Sequence, residues 1–174
     1  MVEMASRRTK KTGPKVPTRL LAGGSSPVEM TIDYKVGIFR KLLDRASSDS
    51  VKEFDLSLSD WRILTHIQAA ESATASELCT RLLIDKADAS RVISSLLERK
   101  LIIRKQNPRN MRSVLLSLSK KGHDIFEKVL PLRIAFNSEL ASYLTKEENT
   151  LLLNILDKLI SNVVQKLTDE ADKA

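Results

Sequence analysis

DKADASRVISSLLERKLIIRKQNPRNMRSVLLSLSKKG, residues Asp85–Gly122, changes its hydrophobic period twice, and those changes decide the fold. From Lys86 to Lys100 the apolar residues Ala89, Val92, Ile93, Leu96 and Leu97 recur three and four apart. That is the stripe of an amphipathic helix, opened by Asp85. Leu101–Lys105 and Ser113–Leu118 are then short runs of β-branched residues and leucine. The stretch between them, with Asn107, Pro108 and Asn110, is turn-forming, so the pair predicts a β-hairpin with a long loop. After Ser119 the helical period resumes.

Working outward, Thr74 and Glu77 have the spacing of a capping box, ahead of a short helix with Leu78 and Leu82. Ser57 and Asp60 repeat that spacing, with Asp in place of Glu, ahead of Trp61, Leu64, Ile67 and Gln68. Ile32, Val36, Phe39, Leu43 and Ala46 form the stripe of an earlier helix that ends at Ser47–Ser50. Downstream, Ile125, Phe126, Val129, Leu132 and Phe136 define a long helix in which Pro131 predicts a kink. A box of Thr145 and Glu148 opens the last helix, through Leu152, Ile155, Leu156, Leu159, Val163 and Leu167. Residues 1–27 show no period and hold three of the five prolines, which predicts a disordered arm.

The order is one helix, then three helices and a hairpin, then two long helices. This predicts a mainly α (α+β) fold, a winged helix-turn-helix with a two-stranded β wing, plus N- and C-terminal helices. The expected parts are a basic arm at 1–27, an N-terminal dimerisation helix at 28–55, the winged lobe at 56–118 and C-terminal dimerisation helices at 119–174. The net charge of +7 is unevenly spread. Residues 1–27 carry six Lys/Arg against one acid, and residues 57–118 carry ten against six, while the remaining segments are close to neutral. A folded segment with that bias suggests either a face for a polyanion or a solubilising surface. From Arg99 to Arg112 there are six Lys/Arg (Arg99, Lys100, Arg104, Lys105, Arg109, Arg112) and no acid. In a winged helix the last helix enters the major groove and the hairpin loop reaches the backbone or minor groove. The exposed face of that helix would offer Ala87, Arg91, Ser94 and Ser95.

Several motifs in order carry a family resemblance: LSLSDWRIL from Leu56, TASELCTRL from Thr74, DKADASRVISSLLERKLI from Asp85, NMRSVLLSLSKKG from Asn110 and LTKEENTLL from Leu144. Together they resemble the MarR family of dimeric regulators over about 110 residues. The resemblance implies a homodimer held by the first and last two helices, on a roughly palindromic operator of double-stranded DNA. Its implied DNA contacts are Arg112 and Arg109 on the wing and Arg91 and Ser90 on the recognition helix, with Lys86, Ser94, Arg104 and Lys105 toward phosphates. Two departures stand out. Asn110 occupies the place of the wing's usual acid, which predicts a looser wing. Asp88 replaces a small hydroxyl residue; it would accept from a cytosine amino group or serve as an acid at a helix N-terminus.

The expected dimer interface comprises Ile32, Val36, Leu132, Phe136, Leu152, Ile155 and Leu159. The resemblance also implies a small-molecule effector in many relatives; Phe39, Trp61 and Leu64 are the pocket candidates here, and each reads first as core between the dimer helices and the DNA lobe. Cys79 reads as structural, and His66 and His123 lack metal-ligand spacing, so neither a metal nor another cofactor is expected. Phosphate-binding glycine loops, nucleophile elbows and zinc motifs are all missing from the chain, which argues against an enzyme. No apolar run approaches a membrane span and no secretory signal is evident, so a cytoplasmic protein is expected. Two other functions fit the same residues: a sequence-tolerant architectural DNA-binding protein, and a winged helix that docks a protein.

Overall fold

The computed structural model describes residues 26–108 and 110–173. The arm expected at 1–27 falls almost wholly outside the described residues, and so does Arg109. Among the described residues, seven α-helices and one hairpin follow in the order α1 (Ile32–Ser47), α2 (Asp49–Lys52), α3 (Leu58–Ala69), α4 (Ala75–Leu82), α5 (Lys86–Glu98), β1 (Ile102–Gln106), β2 (Val114–Leu118), α6 (Lys120–Ala141) and α7 (Lys146–Ala171). The chain divides into two units, Met1–Asp44 and Arg45–Ala174.

In the first unit a 3-10 turn at Pro27–Met30 leads into α1. The α1 residues Ile32, Val36 and Phe39 are all exposed, Phe39 by 47%. The apolar stripe of α1 is present, with Ile32, Val36 and Phe39 along it.

The second unit holds the core. Val51, Leu56, Ile63, Leu64, Ile67, Leu78, Ala89, Leu96, Leu101, Ile102, Phe126 and Val129 are buried there in one cluster. The one-turn helix α2, not foreseen from the serine-rich break, exists because Val51 is drawn fully into this cluster. Helix starts follow the sequence signals. Ser57 accepts from the Asp60 amide at 3.0 Å while the Asp60 carboxylate accepts from the Ser57 amide at 2.8 Å. Thr74 and Glu77 do the same, and the Thr74 amide and hydroxyl, both donating to the Glu77 carboxylate, hold it below the usual carboxylate range. Asp85, Ser119 and Thr145 each accept from the amide three residues on.

The hairpin is antiparallel, with Ile102 opposite Leu118 and Gln106 opposite Val114. Its base is buried and its far end exposed. Ala73, just ahead of α4, adds a third extended segment by pairing with Leu116 through bonds of 3.0 and 2.8 Å. That bridge fixes where the wing stands relative to α4, and a single residue of strand leaves no period to read. α6 runs unbroken through Pro131, and α7 has no buried residue along its whole length.

Candidate nucleic-acid interface

Helices α4 and α5 form the helix-turn-helix. Their turn is made by Leu83, left-handed at φ 51° and 91% exposed. The next amide, of Ile84, donates to the Cys79 carbonyl at 3.2 Å. Glycine is the usual residue for such a cap, so composition alone would not have marked this turn. Cys79 is half-buried against the core, and it is consistent with a structural role.

Three apolar residues of α5, Ala89, Ile93 and Leu96, are buried, which turns Lys86, Ala87, Asp88, Ser90, Arg91 and Ser94 outward into solvent. All five recognition-helix candidates thus share one exposed surface. Within it, the Arg91 guanidinium donates to the Asp88 carboxylate. Asp88 itself sits at the third helical position, its amide bonded to the Asp85 side chain at 2.7 Å. It is indeed an acid in the first turn, where the helix dipole favours it. Its carboxylate, however, serves Arg91.

The end of α5 sets the direction of the wing. Lys100 is left-handed at φ 59°. Its amide donates to Leu97 and that of Leu101 to Leu96, both at 2.9 Å, closing the helix and burying Leu101. The chain enters β1 directly, and Arg104 and Lys105 lie exposed along it. At the tip, the Asn110 side chain accepts from the Arg112 amide at 3.0 Å, the Ser113 amide donates to the Asn110 carbonyl at 2.9 Å, and Asn107 Nδ2 donates to Ser113 Oγ at 2.8 Å. The side-chain oxygen of Asn110 thus makes a turn-organising bond of the kind an aspartate would. Arg112 is exposed beside it.

Arg99 does not belong with these cations. Its guanidinium turns inward, donates to Asp60 at 3.1 Å and to the Asp55 carbonyl, and leaves Asp60 only 6% exposed. This pair ties the end of α5 to the start of α3, across 39 residues of sequence. Replacing Arg99 with alanine should strip a buried carboxylate of its charged partner, leaving it the Ser57 amide. A stability loss of about 2 kcal/mol is expected, between the values for exposed and buried pairs. Urea titration of Arg99→Ala, Asp60→Ala and the double variant should show strong coupling; additive effects would mean that the pair contributes nothing.

The other predicted residues separate. Trp61 and Leu64 are core, with Trp61 stacked on Phe126 at 5.0 Å between centroids. Trp61 also lines, with Leu58, Arg62, Thr65, His66 and Arg133, a cavity of about 170 Å³. Arg62, Thr65, His66 and Arg133 were not anticipated; polar residues on one face of a core helix give no local sign of the space above them. Leu132, Leu152 and Ile155 are exposed, and Phe136 and Leu159 half-buried. Among the described residues, no group of His, Cys, Asp and Glu could hold a metal ion, and no helix is long and apolar enough to cross a membrane.

Three helices and a hairpin, with the third helix exposing a polar face beside a basic wing, define the winged helix-turn-helix class. Residues 54–113 match the model of the MarR family. The chain is 26% identical over 132 residues to the HTH-type transcriptional regulator BilQ of Clostridium symbiosum, covering 76% of this chain and 92% of BilQ. It is also 26% identical over 122 residues to an HTH-type transcriptional regulator of Bacillus cereus, covering 70% of this chain and 81% of that one. Among solved structures, it resembles a MarR family transcriptional regulator from Listeria monocytogenes crystallised with a 26mer DNA. That match has a TM-score of 0.72 and 27% identity, over 78% of this chain and 91% of the other. A mutant MarR from E. coli in complex with operator DNA matches with a TM-score of 0.70 and 25% identity, over 78% of this chain and 99% of the other. The names of these relatives are those of transcription regulators.

Proposed function

We propose that this protein is a cytoplasmic transcriptional regulator, acting mainly as a repressor, that binds a pseudo-palindromic operator as a homodimer. The observation that carries this reading is that Lys86, Ser90, Arg91 and Ser94 on α5 and Arg104, Lys105 and Arg112 on the wing are all exposed. Small polar groups on the helix allow close approach to base edges, and the wing's cations meet phosphates or the minor groove. Arg109 belongs to the same wing by sequence. The resemblance to two DNA-bound relatives supports the same geometry.

Homodimerisation is supported by α7, which buries nothing within its own chain, although Leu151, Leu152, Leu153, Ile155, Ile160 and Val163 lie along it. Exposed apolar surface on that scale marks an interface. Ile32 and Val36 on α1 and Leu132 and Phe136 on α6 would extend it. The two recognition helices would then meet half-sites about 34–36 Å apart. A small-molecule effector, if it acts here, would occupy the cavity beside Trp61 and Arg133, and would release DNA only by binding the two states unequally.

Fluorescence anisotropy with selected and random duplexes across a salt series tests the main reading. A preference of at least ~10³ for one palindrome is expected, with affinity falling as salt rises. Equal affinity for every sequence would favour an architectural protein, and no binding would favour a protein-docking module. Arg112→Ala should weaken operator binding by roughly tenfold to a hundredfold while leaving the fold intact. An unchanged affinity would remove the wing from the interface.

A further inference from the structure

Asp88 places a negative charge on the one surface that, on the DNA-binding reading, faces a polyanion. Its carboxylate is not needed to cap α5, because Asp85 already accepts the Asp88 amide at 2.7 Å. Instead it accepts from Arg91 Nη2, with both side chains exposed on the outward face of the helix. We propose that Asp88 is a positioning residue that makes Arg91 selective: it aims the guanidinium at a guanine and penalises every duplex that lacks one at that place.

Two physical effects combine. A guanidinium is a planar fork of five N–H donors, so one N–H held by a carboxylate restricts where the remaining donors point. Two of those donors match guanine O6 and N7. The carboxylate also loses solvent and approaches phosphates whenever the helix enters a groove. This cost falls on all DNA, and only a correctly placed guanine offsets it through Arg91. Asp88 thus lowers affinity everywhere and lowers it least on the cognate site, which is specificity gained by repulsion as well as attraction. This inference rests on the proposed function above and adds a base and a residue pair to it.

The test uses the full chain. A preferred duplex is selected from a randomised library, and each of its base pairs is then replaced in turn. Affinities are measured for the wild type, Asp88→Ser, Asp88→Glu, Arg91→Ala and the Asp88→Ser/Arg91→Ala double variant. Asp88→Ser should bind random duplexes several-fold more tightly and lose roughly tenfold of its preference at one G·C pair. Arg91→Ala should flatten that same pair, the double variant should be no flatter than Arg91→Ala, and Asp88→Glu should restore the preference. A merely structural role would change affinity by one factor on every duplex, and that result overturns the proposal. So does flattening at two different positions by the two single variants. A wild-type chain that binds no duplex overturns the regulatory reading together with this one.

Discussion

Replacing Gly122 with alanine should unfold a large part of the population well below the wild-type melting temperature. A Cβ built at Gly122 lies 2.0 Å from the Leu101 carbonyl oxygen and 3.0 Å from its carbon, both backbone atoms. That neighbour cannot rotate away, because the Leu101 carbonyl also accepts the Ser119 amide at 3.0 Å and the Leu101 amide is held by Leu96. Around this contact the Ser119 hydroxyl donates to the Lys100 carbonyl at 2.6 Å and Lys121 Nζ donates to Arg99 at 3.0 Å. The start of α6, the end of α5 and Leu101, just ahead of β1, thus meet at one point. Relief requires moving the helix off the hairpin, which exposes Leu101 and Ile102. A loss of about 3–5 kcal/mol is expected, at the upper end for a single methyl group, because the clash is with backbone. For a chain of this size that corresponds to roughly 10–15 °C in melting temperature. Gly37, with nothing within 4 Å of its Cβ position, is the control, and its alanine variant should melt no lower than the wild type. Equal melting of the two alanine variants would show that the junction tolerates displacement.

A chain carrying Leu152→Asp and Leu159→Asp should sediment as a folded monomer and lose operator binding almost entirely. α7 buries no residue in its own chain, so two carboxylates there disturb little of the core that holds the winged lobe together. In a dimer the same positions would be desolvated, and a buried unpaired carboxylate costs several kcal/mol. Two such sites on each of two subunits exceed what an interface of ordinary size contributes. One winged helix alone reaches a single half-site, so DNA affinity should fall by about a hundredfold or more as the second lobe's contribution is lost. Analytical ultracentrifugation with anisotropy on the same samples decides the matter. A double variant that stays dimeric would move the interface off α7, and a monomer with undiminished affinity would remove the need for a dimer.

The elements themselves were legible because their signals are local. Caps act over three residues, so Ser57, Thr74, Asp85, Ser119 and Thr145 announced helix starts that the structure reproduces. The change of period after Lys100 announced the hairpin, and buried Ala89, Ile93 and Leu96 follow from the stripe of α5. The exposed surface of α5 follows in turn, since burying one side of a helix exposes the other.

What the amino-acid order determined by itself was therefore the succession of helices and hairpin, the face of the recognition helix and the basic character of the wing. Tertiary structure alone decided which charges remain on that surface. Arg99 and Arg112 are the same residue type in one basic run, yet Arg99 turns inward to Asp60 and Arg112 stays in solvent. It alone decided that Ala73 pairs with Leu116, that Val51 closes the core, and that Gly122 touches Leu101. The reason is range. Periodicity and capping depend on neighbours within about one helical turn, whereas these contacts join residues tens of positions apart, whose meeting depends on how the packed elements are stacked.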